Sequence, residues 1–223
     1  MLPVIEQAES AAGRTSVGTA DGTSTPVRPG RRRSEESRLA ILTAATELLG
    51  EVGYARLTVE GIAARAGTGK QTVYRWWPGK ADVLLEAVTA HARQHIALPD
   101  TGDHAADLRT FLAATFAAAT PPTTDALRAL MAEAQIDPAF GDRFRETLLH
   151  PRREALGTLV DRARTAGLLA PQLTTATAVD LAFGALWYRL LGTRDPLDDD
   201  LAELLTRTLL LPSATSSGSA DGA

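Results

Sequence analysis

Residues 58–80 read TVEGIAARAGTGKQTVYRWWPGK, and the fold follows from how this stretch divides. Thr58 places a side-chain oxygen just before Val59, Ile62, Ala63 and Ala66, whose three- and four-residue spacing makes one apolar stripe on a short capped helix. Gly67 ends that helix, because the Gly-Thr-Gly turn at 67–69 can take the positive φ of a tight exit. A second short helix then starts at Lys70. Two helices crossed through a three-residue turn make a helix-turn-helix. Ala63 is small enough for the crossing point, and Ile62, Ala66, Val73 and Trp77 fall in the shared core. Lys70, Gln71, Thr72, Tyr74 and Arg75 are left facing outward, a set suited to phosphate oxygens and purine edges.

The run from Gly67 to Lys80, with its Tyr-x-x-aromatic-x-x-Lys pattern at Tyr74, Trp77 and Lys80, resembles the recognition helix and following turn of TetR-type (tetracycline-repressor-like) transcriptional regulators. The resemblance extends back through Tyr54, Leu57, Thr58, Ile62 and Ala63 and covers residues 35–85. Thr68 and Gly69 depart from the family pattern, which usually has an aliphatic residue and then a Ser or Thr cap. The resemblance implies a homodimeric, ligand-responsive regulator, most often a repressor, that binds a roughly palindromic double-stranded DNA operator. DNA contacts are expected from Arg33, Thr58, Thr68, Lys70, Gln71, Thr72, Tyr74, Arg75 and Lys80.

Charge agrees with that placement. From Arg28 to Lys80 there are ten basic and five acidic residues, whereas from Ala81 onward there are twelve basic and nineteen acidic. The basic segment carries the motif. Of the 23 basic residues only Lys70 and Lys80 are lysines, and both lie in it. The absence of cysteine excludes a disulfide scaffold, a thiolate metal site and a cysteine nucleophile. No apolar run approaches a membrane span, and the first ten residues lack a signal layout, so a cytoplasmic protein is expected.

Outward from the motif, residues 1–30 and 212–223 are rich in small and polar residues and are expected to be disordered tails. Arg31-Arg32-Arg33 is either an arm that reaches DNA or a solubilising tail. Ser34 reads as the cap of a first helix over 35–52 that buries Leu39, Leu42, Ala45, Leu48 and Leu49 and stops at Gly53. The reading head is assigned to 31–81 and a larger helical ligand-binding and dimerisation domain to 82–211.

The helix from Lys80 puts Leu84, Val88, His91 and His95 on one face. The histidines are either ligand contacts or packed residues, and no third group points to a metal. Further helices are read at 104–119, closed by Pro121-Pro122, at 124–135, and from Pro138 to Gly167 with an interruption or kink at Pro151. Two more follow at 174–191 and 198–211. Nothing alternates as a strand would, so the fold class is all-α.

With the effector placed by the resemblance among the helices of 82–190, Phe111, Phe116, Met131 and Trp187 supply its apolar wall. His91, His95, Gln135 and Tyr188 are its polar groups, fitting a largely apolar molecule with one or two polar functions. The dimer interface is expected at Ala178, Ala182 and Ala185 of one helix and Leu201, Leu204, Leu205 and Thr208 of the next. No cofactor is implied. A helical adaptor that binds only protein, or an all-helical enzyme using His91 and His95, are the other readings. The first leaves the surface from Lys70 to Arg75 without a purpose, and the second lacks a catalytic constellation.

Overall fold

In the computed structural model the backbone is described for residues 29–211 and side chains from residue 34. Ten α-helices make up this part: α1 Pro29–Val52, α2 Val59–Arg65, α3 Lys70–Tyr74, α4 Lys80–His95, α5 His104–Ala117, α6 Pro121–Ile136, α7 Pro138–Phe144, α8 His150–Thr165, α9 Thr175–Tyr188 and α10 Asp199–Leu209. Residues 1–28 and 212–223 of the two expected tails, and the side chain of Arg33, lie outside the described residues, while Pro29 and Gly30, placed in the first tail, are helical instead because they form the opening turn of α1.

The helix boundaries follow local chemistry, with three departures from expectation. First, α1 begins at Pro29 rather than at a Ser34 cap. Proline suits a first helical position, since the N–H it lacks has no partner there. The phase of α1 buries Ile41, Leu42, Ala45 and Leu49 and turns Leu39 outward, 53% exposed. Second, Pro121 and Pro122 open α6 instead of closing α5, by the same rule. Third, the interruption expected at Pro151 comes just ahead of it and leaves the chain helical. Five residues of π-helix, Arg145–Leu149, join α7 to α8, widening the turn where the proline ring would meet a carbonyl. A second π-turn, Arg189–Thr193, extends α9 and ends on Arg194 in the left-handed region.

Two apolar clusters organise the packing. One runs from Ile41 through Val73, Trp77 and Val88 to Leu130, Phe144 and Leu148. It therefore crosses residue 81 and locks α6 and α7 onto the helix-turn-helix. The other gathers α5, α8, α9 and α10 around Phe111, Leu156, Val160 and Ala182. Leu127 and Trp187 pack against both. The carboxy-terminal end is pinned where Leu211 N–H donates to Leu168 O at 2.7 Å. No helix among the described residues is long and apolar enough to cross a membrane.

Candidate nucleic-acid interface and ligand cavity

The reading head is built by caps and two anchors. Thr58 Oγ1 accepts from Gly61 N–H at 3.0 Å and starts α2. At its far end Gly67 has φ +65°. Gly67 N–H bonds to Ala64 O and Thr68 N–H to Ala63 O, the paired closure of a Schellman turn. The next helix, α3, has Gly69 at its N-cap and no side-chain cap. Val73 and Trp77, both buried, hold it against Ile62 and Ala63. Each such side chain contributes about 1.5–3 kcal/mol on burial, which substitutes for the weak start.

Lys70, Gln71, Tyr74 and Arg75 stand exposed on α3, and Thr58 is exposed at the start of α2. Thr68 and Thr72 are half-buried beside them. The outward set read from the sequence is thus one surface. Among the described residues Lys70 has one ion pair, a 3.9 Å approach to Glu60 with both side chains solvated, a pair worth little.

Lys80 departs from the expectation of a DNA contact. Its Nζ donates to Tyr54 O at 2.8 Å and to Leu57 O at 2.9 Å, and it lies 4.3 Å from the centre of the Tyr54 ring. It staples the α1–α2 connection to the first turn of α4, with two of its three protons committed.

The head is tied to the rest of the molecule by a polar belt. Glu86 of α4 accepts from Trp77 Nε1 at 2.7 Å and pairs with Arg38 of α1. Arg143 of α7 pairs with Asp82 at 2.8 Å. Within the head itself, Arg65 bridges α2 to Glu51 and Glu47 of α1. That hydrogen bond holds the Glu51 carboxyl below its usual range and raises the Arg65 guanidinium.

Between the two apolar clusters lies a cavity of about 390 Å³, within the size range of small-molecule sites. Val88, His91 and Ala92 of α4, Leu127 and Met131 of α6, and Phe183 and Trp187 of α9 form much of its wall. His91 faces it while Nε2 donates to Ala118 O at 3.1 Å, which assigns the proton on that nitrogen.

Of the eight ligand-contact residues expected, only His91, Met131 and Trp187 line the cavity. His95 is exposed, with Nδ1 donating to the His91 carbonyl at 2.8 Å, and it is turned off the wall that the next residue, Ile96, still lines. Phe111 and Phe116 are buried within the second cluster. Gln135 is exposed and rests on Met131 Sδ. Tyr188 is 68% exposed on the outer face of α9.

Sequence reasoning missed Thr115, Arg152, Arg153 and Asp180. A signal was present for Arg152. Its neighbours at three and four residues are Leu148, Leu149, Ala155 and Leu156, so it is an arginine on an apolar stripe with no acid in reach on its own helix.

The expected interface residues are also redistributed. Ala178, Ala182, Leu201 and Leu205 are buried inside the protomer, since α9 and α10 each turn one face to the second cluster. Ala185 is half-buried. The apolar side chains left facing solvent are Leu181, Tyr188 and Leu191 beside α9's outer face, and Leu204 on α10, next to Thr208.

Comparison with known proteins settles the family. The model for "Bacterial regulatory proteins, tetR family" matches residues 41–87, and that for "Tetracyclin repressor-like, C-terminal domain" matches residues 98–209. The chain belongs to the TetR family. It is a helix-turn-helix transcriptional regulator of that family. Among its relatives is an HTH-type transcriptional regulator of Bacillus subtilis (strain 168), YdeS, 33% identical over 76% of this chain and 86% of that protein. The DNA-binding transcriptional repressor TetR of Mycobacteroides abscessus is 33% identical over 80% of this chain and 94% of its own. Among solved structures, the TetR-family regulator SCO0332 superposes with a TM-score of 0.63 at 34% identity, covering 77% of this chain and 94% of the other.

Proposed function

We propose that the protein is a homodimeric repressor of the cytoplasm whose operator binding is released by a small molecule held in the cavity between the two apolar clusters. The observation that carries this reading is that α4 and α6 belong to both parts. Their one side packs in the cluster that holds Val73 and Trp77, while Val88, His91, Leu127 and Met131 border the cavity. A 16-residue helix such as α4 is about 24 Å long, so a small tilt at the cavity end is delivered at Lys80, where the staple to Tyr54 and Leu57 begins.

Two heads in one dimer would enter major grooves about 34–36 Å apart on a palindromic operator. Lys70 and Arg75 would take phosphates or guanine, and Gln71 and Tyr74 neighbouring base edges and backbone. The second copy would cover the outward faces of α9 and α10, where Leu181, Tyr188, Leu191 and Leu204 are exposed. An effector that favours the wrong spacing of heads over the right one shifts the equilibrium by that difference in affinity and no more.

The test is to capture fragments of the source genome on the purified protein, then measure binding of the recovered duplex by fluorescence anisotropy across salt. A palindromic fragment bound with steep salt dependence is expected. Binding that does not distinguish it from random duplex would overturn the operator assignment.

A further inference from the structure

The polar inventory of the cavity narrows the class of effector, an inference that rests on reading the cavity as the effector site. Four charged or titratable side chains reach it: His91, Arg152, Arg153 and Asp180. Arg153 and Asp180 neutralise one another at 2.6 Å. His91 has spent Nε2 on a backbone carbonyl.

Arg152 stands apart. Its neighbours in the chain's helical part, Arg128, Arg143, Arg145, Arg162 and Arg164, each hold a carboxylate, but Arg152 makes no ion pair with any described residue. Among those residues its one hydrogen bond is a long one, Nη2 to Thr115 Oγ1 at 3.3 Å. A guanidinium carries five N–H donors, so most of the fork has no protein acceptor. Its central carbon lies 4.7 Å over the centre of the Phe111 ring.

Burial pushes this guanidinium below its ordinary pKa, yet arginine keeps its proton in proteins. It therefore remains a charge partly withdrawn from water with no anion to compensate, an arrangement that costs free energy until an anion arrives.

We infer that the cavity takes an amphipathic anion, with a carboxylate on the open fork of Arg152 and an apolar body against Leu127, Met131, Leu148 and Trp187. The planar fork matches a carboxylate through two parallel hydrogen bonds. The apolar walls reward a hydrocarbon body. A cationic ligand of the same shape meets the charge of Arg152 and is rejected.

The test uses straight-chain carboxylates from butanoate to tetradecanoate, each with its alcohol and its alkylammonium analogue, titrated against the part of the tryptophan fluorescence lost in Trp187→Phe and against thermal unfolding. The best carboxylate is expected to bind on the order of ten- to a hundredfold more tightly than its alcohol, and the ammonium analogue not at all. In Arg152→Met the alcohol keeps its affinity and the preference for carboxylate disappears. If Arg152→Met unfolds, Arg152→Lys, which keeps the charge without the fork, should retain only part of the preference. Equal binding of carboxylate and alcohol, a preference that survives Arg152→Met, or no binding anywhere in the series overturns the inference. Operator release is read separately. A carboxylate that depends on Arg152 for binding but leaves the operator complex intact overturns the effector role of the cavity and leaves its anion preference standing.

Discussion

The phenolic hydroxyl of Tyr54 donates to Glu133 Oε2 at 3.0 Å, joining the connection behind α1 to α6, the helix whose Leu127 and Met131 face the cavity. Burial, then this hydrogen bond and the charges of Glu133 and Asp82, hold the Tyr54 proton well above the ordinary tyrosine range. Tyr54→Phe removes one half-exposed hydrogen bond to a charged group, about 1 kcal/mol. The unfolding midpoint should fall by about 2–4 °C. The unfolded chain ionises near pH 10, so the contribution of this contact is whole below that pH and fades as the pH rises through the higher folded value. Thermal melts across the alkaline range should show the native protein losing stability more steeply than Tyr54→Phe. Parallel slopes would mean that the contact does not form in solution.

The two lysines should separate cleanly. Lys70→Ala should lower operator affinity and reduce the salt slope by about one unit, with the fold unchanged. Lys80→Ala strands two backbone carbonyls and should cost roughly 1–3 kcal/mol of stability. Its loss of binding should follow the loss of folded protein. A Lys80→Ala protein as stable as the parent, with a flattened salt slope, would return Lys80 to the DNA.

Gln71→Ala is expected to relax preference at one operator position while leaving random-duplex affinity intact, because base-edge contacts carry sequence information and phosphate contacts do not. Affinity measured on a set of single-base operator variants reads this directly. A uniform drop over all variants would assign Gln71 to the backbone.

The outer faces of α9 and α10 make a prediction about assembly. Leu204→Glu and Tyr188→Glu place charge at positions exposed in the protomer, and each should give a folded, helical monomer by light scattering and circular dichroism. Ala182→Glu puts the charge at a site only 2% exposed, and should unfold the chain instead. Stable dimers from both surface variants would place the interface elsewhere.

Gly141 lies where α7 crosses α6. A Cβ built there meets the Ala134 carbonyl oxygen at 2.7 Å, closer than side chains approach. Gly141→Ala must separate the helices and should cost about 1–3 kcal/mol, read as a lower midpoint in thermal denaturation. A midpoint equal to the parent's would show that the crossing relaxes freely.

The reading head was legible because its signals are local: the Thr58 cap, the Gly67 exit, and the spacing of Ile62, Ala63, Val73 and Trp77. The cavity was not, because periodicity tells which side of a helix is buried and not what it is buried against. Phe111 and Met131 carry the same signal, yet one fills a cluster and the other borders a void. The same ambiguity put Ala182 at a subunit contact when α8 takes that face within the protomer. Lys80 sits at the motif position expected, but its reach to Tyr54 and Leu57 depends on how the α1–α2 connection folds back, which no spacing in residues 70–80 encodes.

The uncapped five-residue α3 has one more consequence. Its place is held by Val73 and Trp77, with Trp76 packed beside them, and the exposed positions around them contribute little to the core. Lys70, Gln71, Tyr74 and Arg75 can therefore be exchanged at little cost to stability. Under the operator contacts proposed for these four positions, descendants of this chain are free to drift from one operator to another by surface substitutions that leave the scaffold and the cavity untouched.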